Sequence, residues 1–248
     1  MNVATIDGVR IMQHIAVVTG AARGIGRAIT EALLDNHFVV AAVDINPIPY
    51  AHAKLTPYTV DLTQQSAVRQ LFADIVQRHG GVDVLVNNAG TCFMDEFSET
   101  SDTTLHQQMA VNFDSAFYCC QMAVPIMLDR PGVKKIINIS SNGAYNFDVF
   151  DPAPYRASKA AIDSLTKHLA RRHAKDKICV NSIAPAMTRT DLFDVVPEDV
   201  LAQALSAMPH GDAMQPAQIA AWVAFLASPA GNCCSGNVII LNQGRDVR

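Results

Sequence analysis

The sequence predicts an α/β fold: a single doubly wound domain with a mostly seven-stranded parallel sheet flanked by helices. Three observations predict it. Apolar runs alternate with helical stretches along the chain, with no linker between them. Most of those runs lack clean apolar–polar alternation, as expected for strands covered on both faces. A glycine-rich turn joins the first run to the first helical stretch.

The runs near 14–19, 38–44, 57–61, 82–87, 134–140, 178–184 and 237–241 read as strands. Helical stretches near 24–36, 64–79, 101–129, 153–174 and 216–227 lie between them. The first strand is β-branched and apolar, Ile15-Ala16-Val17-Val18, and the second ends at Asp44. After Asp44 a short connection holds Pro47, Pro49 and Pro57, which predicts a loop in place of the usual crossover helix. Residues 1–12 precede the first strand without a partner in the pattern and are a candidate for disorder. Residues 13–248 form the domain. Within it, the segment about 186–215 mixes acidic residues, Pro197, Pro209 and Gly211 with an amphipathic patch, and reads as a mobile lid over a substrate.

Composition bounds the function. The chain has 248 residues, half of them apolar, enough for a buried parallel sheet in one domain. A net charge of −4 gives no reason to expect nucleic acid or an anionic membrane as partner. No apolar run reaches membrane-spanning length, and Asp7 and Arg10 interrupt any signal-peptide core. The six cysteines, including the pairs Cys119-Cys120 and Cys233-Cys234, show neither metal-ligand nor disulfide-scaffold spacing. They read as reduced, mostly structural thiols in a cytoplasmic protein, with no metal.

Two motifs carry the chemistry. The first is the turn Thr19-Gly20-Ala21-Ala22-Arg23-Gly24-Ile25-Gly26. Strand, glycine turn and helix in this order make the context of a dinucleotide-binding, Rossmann-type unit. Glycines let the backbone approach a pyrophosphate, and the helix N-terminus offers unpaired N–H groups and a positive dipole end. The second motif is Tyr155-Arg156-Ala157-Ser158-Lys159, in which the phenol and the ammonium share one helix face. Tyrosine ordinarily titrates near pH ~10. A neighbouring positive charge favours the phenolate and makes it a usable acid/base. Such a pair alone arises easily by chance, and the glycine turn gives it meaning.

With three further motifs, these residues resemble the short-chain dehydrogenase/reductase family over almost the whole chain. Gly20, Gly24 and Gly26 match its cofactor turn, with Arg23 and Ile25 between them. Asn87-Asn88-Ala89-Gly90 matches the motif that steadies the central sheet beside the cofactor. Asn112 falls where the family keeps a catalytic asparagine, and Ile139-Ser140-Ser141 matches a strand end whose second serine is catalytic. The resemblance implies an NAD(P)-dependent oxidoreductase that passes hydride between nicotinamide and a secondary alcohol or ketone. It implies that Tyr155 exchanges a proton with the substrate oxygen while Lys159 assists it and holds the nicotinamide ribose. Ser141 would orient that oxygen, and Asn112 would help hold a water linking Lys159 to solvent. Asp61 and Leu62 are implied at the adenine, Pro185, Thr188 and Thr190 at the nicotinamide end, and a homotetramer or homodimer as the assembly.

Asp44 stands where an acidic side chain hydrogen-bonds both adenosine ribose hydroxyls and repels a 2′-phosphate, so NAD is expected over NADP. Arg23 pulls the other way, as basic residues do before the second glycine of NADP-preferring relatives. The chain departs from the family pattern in three places. Ala186 replaces the glycine after Pro185. Ser141 lies one residue farther from Tyr155 than is common, with Asn142-Gly143 after it, which makes Ser140 a rival for its duty. Leu241-Asn242-Gln243-Gly244 replaces the usual Asp-Gly-Gly. The loop 144–154 carries Tyr145, Phe147, Val149 and Phe150 beside Asp148 and Asp151. It suits a partly apolar pocket for a ring, with Arg156 or Arg189 to offset an anion. A cyclic alcohol or dihydrodiol is the expected substrate class, the shortened second crossover being shared with dihydrodiol-oxidising relatives. Two alternatives stand beside it. One is a 3-oxoacyl-carrier-protein reductase, in which Arg130, Arg171 and Arg172 would meet an acidic carrier unless they are solvated helix charges. The other is a non-catalytic dinucleotide-binding regulator.

Overall fold

The computed structural model describes residues 3–6, 9–145, 152–191, 193, 196 and 198–245. Ahead of the sheet, strands β1 (Val3–Ile6) and β2 (Val9–Met12) pair antiparallel as a hairpin, Val3 opposite Met12. Then come β3 (Ile15–Thr19), β4 (Val39–Asp44), β5 (Leu55–Thr59), β6 (Val84–Asn87), β7 (Lys134–Ile139), β8 (Ile178–Pro185) and β9 (Val238–Leu241). These seven form one sheet in the order β5-β4-β3-β6-β7-β8-β9, and every neighbouring pair is parallel. The helices are α1 (Gly24–Asp35), α2 (Gln65–His79), α3 (Asp102–Met109), α4 (Ser115–Leu128), α5 (Ala153–Arg172), α6 (Glu198–Ser206) and α7 (Pro216–Ala227).

Successive side chains of a strand point to opposite faces, so apolar runs without alternation supply two cores. On one face Ala16, Val18, Val40, Ala42, Val84 and Val86 pack with Ile29 and Leu33 of α1 and Ile219 and Val223 of α7. On the other, Val17, Ala41, Val43 and Leu85 pack with Leu71, Phe72 and Ile75 of α2 and Cys119, Ala123 and Met127 of α4. Burial pushes the Cys120 thiol up to about 12, which leaves it an inert packing group.

The order of the sheet positions the site. The chain winds outward from β3 to β4 and β5, then returns to place β6 on the other side of β3. At such a reversal the connections after two adjacent strands leave in opposite directions and open a crevice at the carboxyl edge. The glycine turn follows β3 and the Asn88-Ala89-Gly90 segment follows β6, so both motifs border this crevice.

Three elements differ from the sequence expectation. The third sheet strand begins at Leu55 and carries Pro57, which is tolerated because β5 is an edge strand. The helix expected over 101–129 is broken at Ala110–Asp114 by one π-helical turn between α3 and α4. The segment expected as a lid contains α6. The connection 45–54 is helix-free, as its prolines predict. Phe147, Asp148, Val149, Phe150, Asp151 and Pro197 lie outside the described residues.

Arg130 is not the solvated helix charge expected of it. Its Nε and Nη2 donate to the two carboxylate oxygens of Asp83 at 2.8 and 2.7 Å, and Asp83 also accepts from the Ile15 N–H at 2.8 Å. Asp83 is buried, and the pair clamps the start of β3 to the segment before β7. Removing one partner of a buried pair strands the other. Asp83→Ala is expected to lower the unfolding free energy by about 3 kcal/mol in a urea titration.

Candidate active site

Thr19, the last residue of β3, holds the crevice together. Its Oγ1 accepts from the N–H groups of Asn88 and Ala89 at 2.9 and 3.0 Å, and the Asn88 side chain donates back to the carbonyls of Thr19 and Gly20. The glycine turn is therefore pinned to the strand on its far side. A Cβ on Gly26 would lie 1.9 Å from the Gly20 oxygen, so only glycine fits there. The following helix starts at Gly24 with neither a side-chain cap nor an acidic residue in its first turn. Its leading N–H groups and positive dipole end face the crevice without competition, as a pyrophosphate requires. Ile25 is half-buried against the apolar core on this face.

One rim of the crevice is built around Asp44 at the end of β4. Its carboxylate accepts from the Ala22 N–H at 2.9 Å and from the Asn46 N–H at 2.9 Å, which ties it to the glycine turn and to the helix-free connection. From that connection Tyr50 donates its hydroxyl to the Ala21 carbonyl at 2.7 Å, with the Arg27 guanidinium 4.9 Å above its ring. Nothing in the sequence pattern singles out Tyr50. Arg23 points to the other rim, with Nη1 3.5 Å from the Asp191 carboxylate. Asp61 turns inward on its own chain. It accepts from the Thr63 N–H and hydroxyl at 2.9 and 2.7 Å, bonds that hold its carboxyl below the usual range, while Leu62 is buried in the core beside Val43.

The Tyr155 side is organised by the π-turn. Asn112 sits in it, buried, with Oδ1 accepting from the Thr91 N–H at 2.8 Å and Nδ2 donating to the Thr91 carbonyl and to Ser158 Oγ, each at 3.0 Å. The Ser158 hydroxyl donates to the Tyr155 carbonyl at 2.6 Å, so the turn grips α5 at the residue pair of interest. One turn along, Lys159 is buried, and its Nζ donates to the Ile139 carbonyl at 2.9 Å and lies 5.9 Å from the Tyr155 ring centre. Burial pulls the Lys159 ammonium down to about 8, with the Asp163 carboxylate opposing the fall. A Cβ on Gly90 would lie 3.3 Å from both Lys159 Nζ and Asn112 Oδ1. Gly90, Asn112 and Lys159 therefore meet at one point. The two serines at the end of β7 differ. Ser140 Oγ lies 2.9 Å from the Asp163 carboxylate and 3.2 Å from the Lys159 carbonyl, buried behind the site. Ser141 Oγ accepts from the Gly143 N–H at 3.0 Å, which does not use its own proton.

Comparison with known proteins fits this geometry. The family model described as enoyl-(acyl carrier protein) reductase matches residues 20–246. The chain belongs to the short-chain dehydrogenase/reductase family. It is similar to 3-oxoacyl-[acyl-carrier-protein] reductase of Thermotoga maritima, 32% identical across 95% of this chain and 98% of that one. It is also similar to 2,3-dihydroxy-2,3-dihydro-p-cumate dehydrogenase of Pseudomonas putida, 32% identical across 98% of both. Among solved structures, a short-chain type dehydrogenase/reductase of Mycobacterium marinum superposes with a TM-score of 0.90 at 26% identity, covering 96% of this chain and 97% of that one.

As a short-chain dehydrogenase/reductase, the chain is an oxidoreductase of CH–OH groups or ketones that works with a nicotinamide dinucleotide. The residues present fit that group: Gly20, Gly24 and Gly90 keep the crevice floor free of side chains between the ends of β3 and β6. The segment after Pro185, the last residue of β8, borders the crevice from the far side. There Thr188 is buried, donates to the Ala186 carbonyl at 3.0 Å and bridges to Met214. Thr190 reaches across to the glycine turn, 3.3 Å from where a Gly24 Cβ would sit. The sequence pattern misses Gln108, which is fully buried and bonds the Thr91 carbonyl and the Phe93 N–H, and Asp163, which gathers three hydroxyls. Asp163 carries a signal in hindsight, since it stands at i+4 from Lys159.

Proposed function

We propose that this chain is an NAD-dependent dehydrogenase of secondary alcohols, a cyclic alcohol or dihydrodiol being the favoured class, with Tyr155 as its acid/base. One observation carries the reading. The buried Lys159 Nζ stands beside the Tyr155 ring, at the point where Gly90 and Asn112 converge on the cofactor crevice. An ammonium there stabilises a Tyr155 phenolate, so Tyr155 accepts the proton of an alcohol or returns it to a carbonyl oxygen. Ser141, whose proton its bond to Gly143 leaves uncommitted, hydrogen-bonds that oxygen and orients it. Ser140 faces Asp163 and is not assigned this duty. Asn112 holds the π-turn against Thr91 and Ser158, which keeps its backbone placed for a water reaching Lys159.

When bound, the dinucleotide supplies hydride transfer at nicotinamide C4. Gly20, Arg23, Gly24, Ile25 and Gly26 would hold its pyrophosphate, Asp61 and Leu62 its adenine, and Asn88, Ala89 and Gly90 its central ribose region. Lys159 and Tyr155 would bind the nicotinamide ribose, and Pro185, Thr188 and Thr190 the nicotinamide end. Asp44 supports NAD because its carboxylate, tied to the glycine turn at the end of β4, would meet the adenosine ribose and repel a 2′-phosphate there, while Arg23 is drawn toward Asp191. Asp44→Asn removes the charge and keeps an acceptor for the Ala22 N–H. The preference for NAD over NADP in kcat/KM is expected to fall by about tenfold, equivalent to about 1.4 kcal/mol. An unchanged preference would remove Asp44 from the selection.

The relative from Thermotoga maritima keeps a 3-oxoacyl thioester as the second reading. Nicotinamide absorbance followed with cyclic diols, secondary alcohols and 3-oxoacyl thioesters, with NAD and NADP in parallel, separates the two. Tight dinucleotide binding without turnover across a wide panel would favour a regulator. A homotetramer or homodimer is supported by the apolar side chains that α7 exposes, Trp222 at 41% and Phe225 at 46%, and sedimentation velocity reads it directly. Six cysteines free of disulfides support a cytoplasmic setting. Among the described residues no helix is long and apolar enough to cross a membrane, and no cluster could hold a metal.

A further inference from the structure

Behind the site lies a buried carboxylate that the reading above does not use. Asp163, on the same face of α5 as Lys159, is 3% exposed. Its Oδ1 accepts from Ser182 Oγ at 2.6 Å, and its Oδ2 from Tyr145 Oη at 2.7 Å and Ser140 Oγ at 2.9 Å. The donors come from three places: the middle of β8, the end of β7, and the loop that opens toward the substrate. Burial pushes the Asp163 carboxyl up, and the three hydroxyls directed at it, with the Lys159 charge, favour the anion against that push. Ser140 also lies 3.2 Å from the Lys159 carbonyl, so the cluster reaches the lysine through its backbone as well as through charge.

We propose that Asp163 is a positioning residue that gathers Ser140, Ser182 and Tyr145 behind Lys159, supporting the lysine from one turn away and fixing Tyr145, near the start of the substrate loop, against the sheet. The proposal rests on the reading of Lys159 as the group that grips the nicotinamide ribose. Groups bearing on the Lys159 charge are Asp163 and Tyr155 on its own helix and Cys92 from the loop after β6. Burial disfavours the ammonium, and the Asp163 carboxylate opposes it more than the Cys92 thiol does. A buried anion one turn away favours the charged form, so removing it lets Lys159 lose its proton at lower pH. Tyr145 contributes separately. Its hydroxyl ties the start of the substrate loop to α5, and a hydrogen bond to a charged acceptor is among the stronger kinds.

The test is NADH binding by fluorescence as a function of pH, which needs no turnover. For the unmodified chain, affinity is expected to fall as pH rises through about 8, where Lys159 discharges. Asp163→Asn is expected to move that midpoint down by about one pH unit, and Asp163→Glu to restore it. Tyr145→Phe should leave NADH affinity unchanged and raise the KM for the alcohol or ketone about tenfold. A fully folded Asp163→Asn variant with an unmoved midpoint overturns the proposal while leaving the dehydrogenase reading intact. Absence of NADH binding by the unmodified chain would instead sink the dehydrogenase reading, and this proposal with it. Should Asp163→Asn fail to fold, Tyr145→Phe decides alone, and an unaltered KM overturns the proposal.

Discussion

Replacing Tyr155 by phenylalanine is expected to lower turnover about 10³-fold while NAD binding stays within about threefold. The substitution removes one oxygen. The ring remains half-buried on α5, and the main-chain carbonyl that accepts from Ser158 is untouched, so the coupling to Asn112 persists. Lys159 keeps its bond to the Ile139 carbonyl, and the cofactor crevice keeps its shape. The loss therefore falls chiefly on proton transfer, the contribution that a positioned general acid/base typically makes, and the margin of about threefold on NAD binding covers the hydroxyl's contact to the nicotinamide ribose. Single-turnover kinetics with saturating NAD would read it, and near-normal turnover would end the assignment of Tyr155.

Gly26→Ala is expected to weaken dinucleotide binding roughly a hundredfold, the upper part of what overpacking a tight contact costs. A single methyl would sit 1.9 Å from the Gly20 oxygen and 2.5 Å from Asn88 Nδ2. Neither neighbour can retreat cheaply. The Gly20 carbonyl accepts from Asn88 and belongs to a residue with φ of +65°, and Asn88 is bonded to both Thr19 and Gly20. The strain therefore spreads into Thr19 and the end of β3, which is the floor of the crevice. Isothermal titration with NADH would measure it, and a wild-type affinity would show that the turn is looser than its contacts indicate.

What the sequence disclosed follows from the range of the interactions. The glycine turn and the Tyr155–Lys159 pair are local arrangements, held in a few consecutive residues, and their periodicity survives in the linear chain. The two-faced strands are likewise local, since burial on both sides leaves continuous apolar runs. The Asp163 cluster was hidden because its donors lie on separate elements and meet only when the sheet forms. The Arg130–Asp83 clamp joins a helix end to a strand entry across a similarly long stretch, and a lone arginine beside a helix reads as solvated. The third sheet strand was displaced because Pro57 looks like a boundary, whereas an edge position admits it. The break at Asn112 is implied only by the family resemblance, because the apolar content of 101–129 continues through it. The bonds that hold it open come from Thr91 and Ser158, far off in the chain.

That π-turn has a consequence beyond the residue it carries. A π-turn amounts to a helix with one residue inserted, and each residue of an α-helix advances the azimuth by about 100°. The faces of α3 and α4 are therefore out of phase by that angle, and this offset lets both succeed. Gln108, before the turn, faces inward to close the loop after β6, while Cys119, Ala123 and Met127, after it, face the sheet. A continuous helix would satisfy one set and rotate the other toward solvent. The irregularity at the site is thus also the phase correction that seats α4 on the core, so reverting it would disturb packing and chemistry in a single step.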